Sequence, residues 1–353
     1  MVDSRRDYEV AAIFSFKKET AYNTAVLDAS MTKSMMFRGP DVVDRAPTVD
    51  TDGDEFGKGH EFETRQNLLA WDAKAKRSCK ATAEMLGWVA AFGLGAVVDS
   101  QPNLPLNPTV YDHECTPLLA ATSKQLASTS IIEKLSSFRQ RKYTGVVIND
   151  FTISGEGTKF VDLEFNWIGS GAQTSNALAM PTIIPGHFLW THSSKLEIGP
   201  YGGAFVDYSS YLKKFSVKWN NNLLTDVGYF PGSGYATVGD PTSGAIRGRL
   251  EMGKRMAEFS ATVLVSSDQM KADLEANAKL KAKLTLAGEV ITGGQPEVWQ
   301  AVIDLAHMKY SAVPVGFDNG QEVYNITAKV LYDDATSTPI KITVTNTDIA
   351  YLT

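Results

Sequence analysis

Residues that bear chemistry are scattered through this chain, and their spacing decides what they can do. Gly248 to Lys254 (Gly-Arg-Leu-Glu-Met-Gly-Lys) has the glycine–lysine spacing of a phosphate-binding loop. Arg255 follows where a Ser or Thr should hold magnesium, and the segment runs on into a strand, whereas a phosphate loop must open a helix. Asp50, Asp52 and Asp54 crowd three carboxylates, but the glycine comes too early for a calcium loop and no bidentate Glu closes it. His113, Glu114 and Cys115 are adjacent. In a strand, neighbours point to opposite faces, so the three cannot converge on one zinc. His187 and His192 have no second cluster, and no Gly-x-Ser-x-Gly nucleophile turn is present. No catalytic set assembles. The reading is a non-enzyme with no metal site and no cofactor.

The elements that would position those residues are more informative. The chain has 353 residues, 43% hydrophobic and 21% charged, which suits two globular domains. A net charge of −6 is wrong for gripping nucleic acid, though not for a surface that nucleic acid slides past. Cys79 and Cys115 are too few for a disulfide framework and read as buried free thiols. The N-terminus has no apolar leader pattern, and the run Met85–Val98 is too short to span a bilayer, so membrane insertion is not expected.

Period-two alternation dominates. Val161, Leu163, Phe165 and Trp167 oppose Asp162, Glu164 and Asn166, which marks a half-buried antiparallel strand. Its partner is the β-branched run Tyr143–Ser154. Phe215, Val217 and Trp219 alternate likewise, as does Leu280–Leu286; Trp299–Tyr310 and Val323–Tyr332 read as two longer strands, the latter with Tyr324, Ile326, Ala328, Val330 and Tyr332 on one face. Helices are expected over Thr82–Ala91 and Ser266–Asn277, the second capped by Ser266 or Ser267 and presenting Met270 and Leu274 to a sheet. Two long polar loops stand out, Gly39–Gly59 and Asn221–Gly248. Both halves run strand, long loop, strand, helix, then a late pair of long strands. The expected organisation is an arm over 1–30, a first β domain over 31–170, a crossing linker over 171–210 and a second β domain over 211–353, the two domains a pattern repeat.

Gly59–Arg65, Ala91–Gly95, Tyr111–Cys115, Tyr143–Ser154 with its alternating partner ending at Ile168–Gly171, and Lys214–Asn221 follow one another across about residues 20–350. That succession of motifs resembles the tail tube (major tail) proteins of long-tailed bacteriophages. The resemblance implies a mainly β subunit, a β-sandwich or split barrel with flanking helices, here as two pseudo-repeated tail-tube-like domains. It also implies rings that close a β-barrel around a lumen and stack into a tube delivering DNA without specific binding. Three chains would make a ring if the domain is duplicated, six if it is not. Asp162, Glu164 and Asn166 are the candidate lumen residues. Asp52, Asp54, Lys58, Tyr229, Tyr235 and Asp240 are the candidate inter-ring contacts, and deletion of 225–242 is expected to leave a folded chain that cannot polymerise. Implied partners are the chain itself, a tape-measure protein and terminator or baseplate proteins. The implied location is the virion tail, after assembly in the host cytoplasm. Two other readings stay open: a minor tail or tail-completion protein forming a single ring, and a carbohydrate-binding β-sandwich using Trp219, Trp299 and Tyr324.

Overall fold

Each alternating run has one apolar face to hide, and stacking two sheets face to face hides them all. The computed structural model describes residues 11–14, 17–31, 33–35, 43–51, 63, 65–102, 106–134, 140–175, 186–230, 232–238, 240–292 and 297–352. The first half contains β1 (Ala11–Phe14), β2 (Lys33–Met35), β3 (Asp44–Thr51), β4 (Gln66–Lys80), α1 (Ala83–Leu94), β5 (Gly95–Ser100), β6 (Tyr111–Pro117), β7 (Thr129–Lys134), β8 (Gln140–Glu156) and β9 (Asp162–Gly169). The stretch 171–210 holds β10 (Gln173–Ser175), β11 (Trp190–Pro200) and β12 (Val206–Asp207). The second half contains β13 (Leu212–Asn220), β14 (Tyr235–Thr237), β15 (Asp240–Ala245), β16 (Met256–Leu264), α2 (Gln269–Glu275), β17 (Leu280–Val290), β18 (Val298–Ala312), β19 (Val315–Asp318), β20 (Gln321–Val330) and β21 (Ile340–Asn346).

One layer is an antiparallel sheet in the order β3-β4-β9-β8-β13-β16-β20-β19. Four of its strands come from each half, and the junction is β8–β13, running from Lys214 opposite Glu156 to Asn220 opposite Asp150. The other layer runs β12-β11-β17-β18-β21-β6-β5. The C-terminal β21 therefore pairs with β6 of the first half. β18 crosses between layers, pairing with β17 and β21 along its length and with β20 over Met308–Ala312. A small sheet of β2, β1, β7 and β10 extends the N-terminal part of β8.

The apolar faces meet in one contiguous core. Phe151, Ile153, Leu163, Phe165 and Trp167 join Phe215, Val217, Trp219 and Phe259, against Leu284, Ile303 and Ile342 of the opposite layer. α1 is sealed inside, every residue buried, which is why it lacks an amphipathic stripe. Thr82 caps it by accepting from the Met85 amide. Gly95 ends it at φ +96°, a conformation suited to glycine. α2 is shorter than Ser266–Asn277, with Asp268 as N-cap, and it buries Met270 against the core as expected. Cys79 and Cys115 are buried and not joined in a disulfide.

Composition misjudged three stretches as loop or linker. Asp44–Thr51, inside the polar stretch 39–59, is strand because β4 supplies a partner ladder. The segment 221–248 contains the β14–β15 hairpin. The stretch 171–210 contains the eleven-residue β11, an integral strand of the second layer. Backbone pairing overrides a polar or glycine-rich composition wherever a neighbouring strand offers its edge.

Candidate functional site

The face of the eight-stranded sheet that turns away from the core is polar across its middle, with apolar positions such as Met256, opposite Asn220, toward its ends. The cross-strand register sets its side chains in lateral rows. One row reads Lys80, Asp162, Ser154, Ser216, Ser260, Thr327. The next reads Ser78, Glu164, Thr152, Lys218, Glu258, Lys329. A third begins Lys76, Asn166, Asp150, Asn220. Asp162, Glu164 and Asn166 thus share this face at half-exposed positions, as their alternation requires.

Positive and negative groups interleave there. Lys76 Nζ lies 2.7 Å from Glu164 Oε1, and Asn166 Nδ2 donates to Asp150 Oδ1 at 2.6 Å. Neighbouring strands are about 4.8 Å apart. Opposite charges at that spacing cancel within a Debye length of about 8 Å. The face therefore offers a strongly hydrated surface with no single-sign field to seize a polyanion.

The second feature is an arm at one end of this sheet. β3 and β4 continue as a two-stranded ribbon past the end of β9, since β9 stops at Gly169 opposite Ala73 while β4 begins at Gln66. The segment 221–248 folds onto that ribbon. Its entry is fixed by buried Asn221, whose Nδ2 donates to the carbonyls of Gly93 (2.7 Å) and Ile148 (3.0 Å) and whose Oδ1 accepts from Trp219 Nε1. Its exit is fixed by Arg247. That guanidinium donates to Asp72 Oδ1 (2.7 Å) and to the carbonyls of Gly169 (3.1 Å) and Thr225 (3.1 Å). Between them, Trp71 Nε1 donates to Ser243 O at 2.8 Å, and Tyr229 Oη donates to Trp71 O at 2.7 Å.

The structure so sorts the expected contact residues. Tyr229 is half-buried in the arm's root, where burial pushes its phenol pKa up. Tyr235 is exposed on β14. Asp240 starts β15 and accepts from the hydroxyl and amide of Thr242, which hold its carboxyl below the usual range. Asp52, Asp54 and Lys58 lie outside the described residues. Asn221 and Arg247, which clamp the arm, were missed by sequence reasoning. An Asn in an Asn-Asn-Asn run and an Arg amid glycines carry no periodic signal.

The groups weighed for catalysis are structural. Buried His113 sits between Asp99 Oδ1 (2.6 Å) and Asn346 Oδ1 (3.0 Å), with Tyr351 edge-on. Glu114 points the other way, to Lys341 at 3.3 Å. His187 stacks on Trp299 and meets Glu84 Oε1 at 2.7 Å. Residues 248–254 open no helix, and β16 follows them. No group of three metal-binding side chains occurs among the described residues, and no helix among them is long and apolar enough to cross a membrane. Trp219, Trp299 and Tyr324 are buried, so they form no exposed sugar platform.

A family model described as phage tail tube protein matches residues 12–320. The chain belongs to that family. It is a tail tube structural protein, a component of the virion tail, and its fold is mainly β as expected from its sequence, with α1 buried inside the core where a flanking helix was expected. Among solved structures, the tail tube chain is similar to the Hcp1 protein from E. coli EAEC 042 pathovar, with 16% identity over 44% of this chain and 97% of that one. The TM-score is 0.23, too low to add to the assignment. A comparison with curated proteins finds no match.

Proposed function

We propose that this tail tube protein polymerises into stacked three-chain rings whose lumen is lined by the polar face of the eight-stranded sheet, and that DNA passes through without specific binding. The observation that carries this is the sheet itself: four strands from each half, joined at β8–β13, with one apolar and one polar face. Such a sheet has two edges, and closure around an axis removes both. Each chain acts as two tail-tube-like domains, so three chains do the work of six. Three copies of eight strands, spaced about 4.8 Å and tilted about 40°, give a circumference of about 150 Å and a barrel about 48 Å across. That is wide enough for a duplex after side chains line it. The interleaved lysines and carboxylates suit a wall that must not adhere.

The arm, with Tyr235 exposed and Asp240 half-exposed on it, reaches the next ring. The role is structural and not catalytic. Tape-measure and terminator or baseplate proteins would meet the lumen and the tube ends, after assembly in the host cytoplasm.

Negative-stain electron microscopy of the purified protein tests this. Hollow tubes of constant diameter with three-fold rotational averages are expected. Six-fold averages with six chains per ring overturn the duplicated reading, rings that never stack favour a tail-completion role, and a persistent monomer at high concentration overturns assembly altogether.

A further inference from the structure

We infer that residues 17–31 form a strap that latches the arm: while the strap is seated the arm stays docked on the β3–β4 ribbon, and lifting the strap frees it. The latch is a property of the single chain and needs no ring.

The strap joins β1 to β2 and crosses β7 and the N-terminal part of β8. Apart from one turn of 3-10 helix at Asp28–Ser30 it is irregular, and side chains hold it down. Glu19 is 2% exposed and accepts from Ser128 Oγ (2.6 Å), Ser130 Oγ (2.8 Å) and the amides of Gly145 (3.0 Å) and Asn23 (3.0 Å). The Val26 amide donates to Ser130 Oγ at 3.0 Å. Lys142 Nζ donates to Val26 O and, at 2.6 Å, to Asp28 Oδ1. Among the described residues, one bond runs from strap backbone to sheet backbone, from Glu19 N to Ser128 O at 2.9 Å. A segment fastened in this way opens locally without breaking a strand ladder.

Two strap residues reach the root of the arm. Tyr22 packs on the satellite cluster that holds Leu223, Leu250 and Met252, which bracket the arm at its entry and exit. Burial pushes the Tyr22 phenol up, and the nearby Arg247 charge pulls it back down. Asn23 Oδ1 accepts from Ser170 Oγ at 2.7 Å and from Thr144 Oγ1. Ser170 O in turn accepts the Arg247 amide at 2.8 Å. Strap, Ser170 and Arg247 therefore form one run of hydrogen bonds. Gly145 lies where they cross. It sits at φ +63°, its amide serves Glu19, and a Cβ there would stand 2.9 Å from Ser170 Cβ and 3.0 Å from Tyr22 Cζ. Pieces packed this closely do not give way one at a time, so strap and arm share one opening.

Hydrogen exchange of the full chain, read by mass spectrometry, tests the latch. Glu19→Gln replaces an acceptor-only carboxylate with an amide that cannot accept from all four donors, and none of those donors belongs to the arm. Exchange should quicken across 17–31 and also across 224–246, the latter by about 5- to 150-fold, the range of a coupling between two sites. Protection in β9 should stay as it is. Coupling is reciprocal. Trp71→Phe removes the indole donor to Ser243 O in the arm, so it should quicken exchange in 17–31 as well. Should Glu19→Gln not fold, Asn23→Gly is read in the same way: it cuts the strap from Ser170 and keeps φ +63°, which glycine adopts freely. Faster exchange confined to 17–31 in the folded strap variants overturns the latch. So does a strap undisturbed by Trp71→Phe when the arm has loosened. Tube formation plays no part in the readout, so a chain that never forms rings would overturn the ring reading and leave the latch standing.

Discussion

Arg247→Ala should release the arm without unfolding the sheet. Arg247 is 3% exposed at its side chain and makes three hydrogen bonds at 2.7–3.1 Å, one of them to a carboxylate. A hydrogen bond to a charged group contributes about 1.5–3 kcal/mol, and a buried carbonyl left without its donor costs about 1 kcal/mol. Asp72 is 31% exposed and recovers water when its partner goes, which places its share at the low end. The sum is about 2–4 kcal/mol, or about 30- to 1,000-fold in the docked-to-released ratio of residues 224–246. The loss stays local, because those residues lie apart from the main core, near a small satellite cluster of Leu223, Leu250 and Met252 with Leu126 and Val147. Hydrogen exchange read by mass spectrometry should show faster exchange across 224–246 and unchanged protection in β8 and β9. Tubes should be short or absent, while rings persist. Arg247→Lys keeps the charge but not the planar fork, so it should fall between. Unchanged protection of 224–246 in Arg247→Ala would refute the clamp, and unchanged tube length would refute the arm's part in stacking.

Gly87→Ala should destabilise the fold although alanine favours helix by about 1 kcal/mol. The added Cβ would lie 2.2 Å from Tyr351 Oη, and displacing that ring costs about 1–3 kcal/mol plus its hydrogen bond from Asn346. In urea titrations, Gly87→Ala added to Tyr351→Ala should cost nothing further. The Asp240 carboxyl, held low by Thr242, should titrate below an ordinary aspartate by carbon-detected NMR. Its contribution to the β14–β15 turn is full above the unfolded value and lost as pH falls through the folded one. Asp240→Asn should abolish that dependence. Reversing Asp162 and Glu164 to lysine should make tubes retain DNA in sedimentation at low salt and release it as salt rises. Tubes that still ignore DNA would count against a lumen position for this face.

The strands were legible in the sequence wherever one face met core and the other met water. β9, β13, β17 and β20 each announce themselves by period two, because burial on one side selects every second residue, and β8 by its run of β-branched and aromatic residues. The same rule put Asp162, Glu164 and Asn166 on one face and left His113, Glu114 and Cys115 unable to converge. The succession of motifs from Gly59–Arg65 through Tyr143–Ser154 to Lys214–Asn221 was enough to suggest the family by resemblance. β3, β11 and the β14–β15 hairpin stayed hidden, since they are strands by virtue of a neighbour's edge and not of their own pattern. Only the tertiary structure joined β8 to β13 and β21 to β6, and only it brought Tyr229 to Trp71 across 158 residues and Arg247 to Asp72 across 175. Periodicity records which side of a strand is buried. It carries no trace of which strand lies alongside, because a backbone ladder is the same for every sequence.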